Sequence, residues 1–257
     1  MTKNTLYSCI VDRESVSRSP LTNIALEEVL VYSVKKGILP SPLLRIWIDP
    51  PVIVLGRFSN IEKDVNLEAV KEHGIPVTRR ISGGGTVFHD FGNMNFSIYH
   101  SASGFTSVSS IMNEGLSLLT SVLSDLGFSA GIRNGNDVIV ERYKVSGAAS
   151  YSDRLGWLFH GTMLVSSDID LMREVLVFPG DPSKGGRVDP VKYNPGNLAW
   201  VNPRIRILDV IDSVFNYCGM TYDLREDVLL EAEELSKCKY MNDSWLLRGF
   251  TVVCKNF

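Results

Sequence analysis

The chain has 257 residues, 44% hydrophobic and 21% charged, which suits one large domain or two small ones with a sizeable core. A net charge of −3 gives no electrostatic ground for binding nucleic acid. No run approaches the roughly 18 consecutive apolar residues of a membrane span, so no membrane protein is expected.

Residues 1–5 lack the basic-then-apolar pattern of a leader, and a cytoplasmic protein is the expectation. The four cysteines, Cys9, Cys218, Cys238 and Cys254, are far apart and form no C-x-x-C pair. Free, mostly buried thiols are expected in that setting.

In chain order, residues 23–35 place Ile24, Leu26, Val29, Leu30 and Val34 on one helical face, with Glu27 and Glu28 opposite. Residues 43–48 and 52–55 read as strands joined by the turn Asp49-Pro50-Pro51. A helix over 66–73 should stop at Gly74. Short strands follow at 77–80, 86–88 and 95–99, then a helix over 107–126. Segments 137–140 and 143–145 flank Glu141-Arg142 as a hairpin. A strand at 161–165 and a helix at 168–177 precede a long loop over 181–196. That loop is rich in glycine and proline and reads either as a lid or as a surface connection. Helices over 205–217 and 226–237 complete the pattern. Strands and helices alternate without a regular βαβ rhythm, which argues α+β.

The stretch 79–90 reads RRISGGGTVFHD. It has neither the G-x-x-x-x-G-K-[ST] nor the G-x-G-x-x-G spacing. Three adjacent glycines exceed what a tight turn needs and let backbone N–H groups approach a ligand. With Arg80 before them and an apolar pair and His89 after, they could hold a phosphate-bearing ligand beside an apolar one. Lys144, in YKVSGAAS, carries a compact charge able to bridge anions, or is a solvated hairpin lysine. His89 and His160 each read as a pocket wall or as a hydrogen-bonded core histidine. Asn93 and Asn95 alternate on one strand and could face a pocket.

The run RRISGGGTVFHDFGNMNFS and the block NGNDVIVERYKVSGAASYSDRLGWLFHGTML (134–164) together resemble the signature of lipoate–protein ligases, within the biotin/lipoate ligase superfamily. The resemblance covers roughly 26–198. It implies an α+β fold, a mixed, mostly antiparallel sheet carrying helices. Residues 1–257 would form a single catalytic domain without the C-terminal accessory domain of many bacterial members, which some archaeal ligases keep as a separate small protein. It implies lipoate and ATP as substrates, with Mg²⁺. Lys144 would bridge the lipoyl carboxylate and the α-phosphate. Arg80 would contact phosphates, with Gly85, Thr86, Val87 and Phe88 running along the nucleotide. Asn136 and Asp137 would lie near the triphosphate, and Asp137 would touch Mg²⁺ or cap the hairpin. Ser82, Gly83, Gly84, His89, Ala149 and His160 would bind lipoate with Lys144. The acceptors would be lipoyl carrier domains: E2 subunits of 2-oxoacid dehydrogenases and the glycine cleavage H protein. The family's R-V-x-N-L run is replaced here by Asn194-Pro195-Gly196-Asn197-Leu198, so its arginine is missing. Octanoyltransferases share the fold but use a cysteine nucleophile, and all four cysteines lie outside 79–164. A non-catalytic binder of acyl-adenylate or carrier is a third reading. Retention of Lys144, Arg80 and the glycines speaks against it.

Overall fold

The computed structural model describes residues 6–177 and 194–254. Strand β1 (Tyr7–Asp12) precedes the long helix α1 (Pro20–Lys35). Strands β2 (Leu43–Trp47) and β3 (Val52–Leu55) are followed by short helices α2 (Ile61–Asp64) and α3 (Leu67–Glu72). Strands β4 (Val77–Arg79) and β5 (Val87–His89) bracket the glycine run, and β6 (Asn93–Ser101) leads to α4 (Val108–Asp125). Next come β7 (Ala130–Arg133), β8 (Asp137–Val140), β9 (Tyr143–Ser152), β10 (Gly156–Leu164) and α5 (Ile169–Val175). Beyond residue 193 lie α6 (Leu198–Val201), α7 (Ile207–Phe215), β11 (Cys218–Tyr222), α8 (Glu226–Leu235) and α9 (Asp243–Arg248). The expected helices and strands are present, most with small shifts of boundary, but the strands expected at 143–145 and 161–165 extend to Tyr143–Ser152 and Gly156–Leu164, because the two pair with each other as long neighbours in the sheet. The loop expected over 181–196 falls outside the described residues except for 194–196.

An eight-stranded sheet runs β11-β1-β2-β6-β10-β9-β8-β7. It is parallel at β11/β1 and β1/β2 and antiparallel elsewhere. A three-stranded sheet, β4-β3-β5, stands beside it. The architecture is therefore the α+β one expected. The turn at Asp49-Pro50-Pro51 does not pair its two strands, because β2 joins the large sheet and β3 the small one.

Alternation along the strands feeds two cores on opposite faces of the large sheet. Cys9, Leu44, Ile46, Phe96 and Ile98 pack under α4 and α7, whereas Ile10, Leu43 and Tyr99 pack under α1 and α8. Helix α4 starts at Ser107, whose side chain accepts from Ser110 N at 3.2 Å and satisfies one open N–H. A third core fills the space between the small sheet, α3 and α5. Helix α1 departs from the expected one-sided pattern: Glu27 and Glu28 are both buried. Glu28 accepts from Lys239 Nζ and Tyr240 Oη at 2.7–2.8 Å, so the C-terminal segment covers the face expected to meet water.

The expectation of free thiols is overturned. Cys9 bonds Cys218 and Cys238 bonds Cys254. The first pair joins β1 to β11, neighbours in the sheet although 209 residues apart. The second closes a 16-residue loop around α9. Neither follows from cysteine spacing. No helix among the described residues is long and apolar enough to cross a membrane.

Candidate active site

A cavity of about 410 Å³ opens between the glycine loop, α1, and the sheet strands β6, β8, β9 and β10. Its first wall is the glycine loop. Arg80 lies behind it, 6% exposed, and its guanidinium donates inward. Nε bonds Ser82 Oγ at 3.0 Å, Nη2 bonds the carbonyls of Gly83 (2.7 Å) and Gly85 (2.8 Å), and Nη1 bonds Val54 O at 3.2 Å. Burial pushes the guanidinium down to about 10, opposed by Glu27 and reinforced by Arg79. Arg80 thus shapes the loop and sets a buried charge behind it, with most of its donors engaged by the protein. Gly84 has φ +87°. That backbone conformation calls for glycine, and a Cβ there would also sit 2.9 Å from Arg80 Nη2 and push on the guanidinium.

Arg79 faces the opposite way. It is fully buried and donates to the carbonyls of Gly56, Arg57, Ser59, Leu246 and Leu247. Trp245 Nε1 returns a bond to Arg79 O at 2.8 Å. Arg57 N donates to Ser82 O at 2.8 Å. The glycine loop is therefore tied through Arg79 to helix α9 near the C-terminus.

The second wall is the β8–β9 hairpin. Its register shifts between Val138, paired with Ser146, and Ile139, paired with Lys144. Val145 is the extra residue, and the bulge aims Lys144 into the cavity. Lys144 Nζ lies 2.7 Å from Asp137 Oδ1. Asn134 Nδ2 donates to Asp137 Oδ2 at 3.3 Å. The Lys144 main chain is held on its other side: N donates to Asn194 O (2.9 Å) and O accepts from Gly196 N (3.2 Å). Lys144 passes over Gly147, where a Cβ would lie 3.3 Å from Lys144 Cε.

The deep end is a polar relay. Glu27 faces His160 Nδ1, 3.0 Å from either oxygen, and also accepts from Ser97 Oγ. Nδ1 therefore carries a proton. His160 Nε2 lies 2.6 Å from Ser82 Oγ, whose hydrogen is free to point there because Arg80 Nε already donates to that oxygen. Burial pushes the Glu27 carboxyl up, but His160, Ser97 and Arg45 outweigh it and hold it below the usual range. Trp47 Nε1 donates to Ser97 Oγ at 3.3 Å. His89 Nδ1 meets Asp49 Oδ2 at 2.9 Å.

Of the residues singled out in sequence, Arg80, Gly84, Gly85, Thr86, Val87, His89, Asn136, Asp137, Lys144, Ala149 and His160 line this one cavity. Ser82 and Gly83 stand outside its lining, although Ser82 is bonded to His160. Phe88 does not line it either. Its side chain is buried in the third core with Ile53 and Leu55, because β5 alternates and turns it away from the side Val87 presents. Asn95 lines the cavity and Asn93 does not; Asn93 Nδ2 donates to Asn95 Oδ1 at 2.8 Å. Sequence reasoning missed Glu27, Trp47, Asp64 and Ser97 on the wall, and Arg79 and Asp49 behind it. No sequence signal set Glu27 apart from Glu28, since both fall opposite the apolar face of α1.

The described residues hold no group of three or more His, Cys, Asp or Glu side chains placed for a resident metal. Of the carboxylates lining the cavity, Asp137 is the one beside Lys144 and could hold a Mg²⁺ that arrives on phosphate oxygens.

Residues 19–219 match the family model described as the lipoyl protein ligase A/B catalytic domain. The chain is 36% identical over 236 residues to an Aeropyrum pernix protein assigned provisionally as lipoate-protein ligase A, covering 86% of each chain. It superposes on the bi-partite lipoate protein ligase of Thermoplasma acidophilum, solved with its E2 lipoyl domain, with a TM-score of 0.84 at 24% identity over 97% of this chain and 99% of that one. A lipoate-protein ligase A solved with ATP gives a TM-score of 0.78 at 24% identity, over 96% and 99%. The glycine loop and the Lys144 hairpin both fall within the matched span, and the chain belongs to the lipoyl protein ligase A/B catalytic domain family.

Proposed function

We propose that this cavity activates lipoate with ATP and passes the lipoyl group to a carrier lysine. The observation that carries the reading is that the Lys144 ammonium faces the glycine loop across a single cavity whose deep end is the Glu27–His160–Ser82 relay. A lipoate carboxylate oxygen would attack the α-phosphorus, the bond to pyrophosphate would break, and lipoyl-adenylate would form. The acceptor lysine amine would then attack the acyl carbonyl, releasing AMP and a proton. Lys144 lies where it can exchange its contact with Asp137 for the two ligand anions. It would relieve their repulsion and stabilise the charge that develops as pyrophosphate leaves. Backbone of Gly84 and Gly85 can approach phosphate oxygens, with Arg80 adding charge from behind. Asp137, with Asn136 beside it, would hold a Mg²⁺ brought by the triphosphate, which supplies charge neutralisation there. His89, His160 and Ala149 would bound the lipoyl chain.

Octanoyl transfer through a cysteine is not supported: all four cysteines are in disulfides and none lines the cavity. The named partners of the Thermoplasma structure support carrier lipoyl domains as acceptors, the glycine cleavage H protein being a further acceptor of the same chemistry. They also support a separate small subunit working with this single catalytic domain. A cytoplasmic setting belongs to this reading, and the disulfides fit it where intracellular proteins carry them, as in hyperthermophiles. Lipoate-dependent ATP–pyrophosphate exchange, followed by lipoylation of a carrier domain with and without a candidate small subunit, tests the proposal. Exchange that does not depend on lipoate would refute it.

A further inference from the structure

The carboxylates on the cavity wall are not equivalent. Asp137 faces Lys144 and Glu27 faces His160. Asp64, at the end of α2, faces a hydroxyl: Thr86 Oγ1 donates to its Oδ2 at 2.8 Å. Among the described residues it forms no ion pair, and the cation within electrostatic reach is the buried Arg79, whose donors are held by main-chain carbonyls. An ionised carboxylate offers about four acceptor sites, and one is used here. The remainder are open to the cavity that Asp64 lines.

Asp64 is also fixed in place. Its N–H donates to Asn60 O at 3.0 Å and its carbonyl accepts from Val177 N at 2.9 Å. Val65, the next residue, bridges to Leu176. The wall around it is apolar, with Val54, Val87, Leu176 and Val177. A rigid anionic acceptor in such a wall repels phosphate and attracts neutral N–H or O–H donors. The cavity wall therefore carries both a cation suited to phosphate, Lys144, and a separate anion suited to a neutral donor-bearing group, Asp64.

Resting on the ligase reading above, we infer that Asp64 is the anchor for the nucleoside half of ATP. It accepts a hydrogen bond from a neutral donor, either a ribose hydroxyl or the exocyclic amine of the base. The apolar residues beside it cover the base, and Thr86 holds the carboxylate toward the cavity. Asp64 thereby also sets which way round ATP enters: reversal would bring the triphosphate against an anion.

Calorimetric binding of ATP, 2′-deoxyATP, 3′-deoxyATP and inosine triphosphate to the full chain tests this, with wild type, Asp64→Asn and Asp64→Ala. A bond to a charged acceptor is commonly worth about 10–100-fold in affinity. Both variants should bind ATP that much more weakly. In wild type, the analogue lacking the partnered donor should show a similar loss, with no further loss in either variant. The deoxy analogues report a ribose contact and inosine triphosphate an amine contact. Two results would overturn the inference while leaving the ligase reading intact: unchanged ATP affinity in folded Asp64 variants, or losses that multiply for every analogue. Failure of wild type to bind ATP at all would overturn both.

Discussion

Lys144 Nζ and Asp137 Oδ1 stand 2.7 Å apart, and the Asp137 side chain is only 3% exposed. The lysine is therefore already paired, and any anion entering the cavity would have to compete with Asp137 for it. Removing the lysine strands a buried carboxylate, which is destabilising in itself. Lys144→Ala should lose about 10²–10³ in adenylation rate and melt earlier. Lys144→Ala combined with Asp137→Asn should recover much of the melting temperature without recovering the rate. Near-normal lipoyl-adenylate formation by the folded single variant would remove Lys144 from the chemistry.

Glu27 reaches the glycine loop only through His160 and Ser82, so it acts by positioning. In Glu27→Gln the amide can present N–H as well as oxygen to the imidazole, and the fixed order of donors along the relay is lost. The expected result is a roughly tenfold or larger fall in pyrophosphate exchange, on the order of one lost charge-assisted hydrogen bond, with a small change in melting temperature. Imidazole nitrogen NMR of His160 should show a changed tautomer balance. An unchanged spectrum beside a lowered rate would mean that Glu27 acts by another route.

The two disulfides close loops of 209 and 16 residues. Each should contribute about 2–4 kcal/mol, chiefly by restricting the unfolded chain. Reductant, or paired Cys→Ser substitutions, should lower the melting temperature while leaving exchange at 25 °C largely intact. An acyl thioester trapped on any cysteine of the reduced protein would contradict the ligase reading.

Asp12 links β1 to β2 and to the segment just before α1, with Arg45 Nη2 and Arg18 Nη1 each 2.7 Å away. Burial pushes its carboxyl up, but Arg45 and Arg18 outweigh this and hold it below the ordinary value. A depressed folded pKa gives stability that is fully present above the unfolded value of about 3.9 and is lost as pH falls through the folded one. Urea melts should therefore show stability declining below about pH 4. Asp12→Asn should be less stable at neutral pH and lose less on acidification. A parallel decline in both proteins would exclude Asp12 as a source.

Much of the site was legible because its residues sit in two short blocks. The Arg79–Asp90 run and the Lys144 hairpin were readable as turn and strand, and both do meet at the cavity. What was hidden depends on contacts between distant segments. The buried state of Glu27 and Glu28 could not be read from a 3.6-residue period, because α1 is covered on both sides. The Cys9–Cys218 bond needs β11 to lie parallel against β1, and neither strand was foreseen. The inward engagement of Arg80 and the outward turn of Phe88 are set by loop and strand geometry. Composition around them carries no trace of it.

The matched family span ends at residue 219, yet two of the carbonyls held by Arg79 belong to Leu246 and Leu247. The end of the matched family model is thus not a boundary at which the polypeptide can be cut. A fragment trimmed to the matched span would leave a guanidinium facing vacated space beneath the loop it braces. Anyone shortening this protein for expression, or grafting another module in place of the segment after residue 219, would be altering the support of the glycine loop from behind.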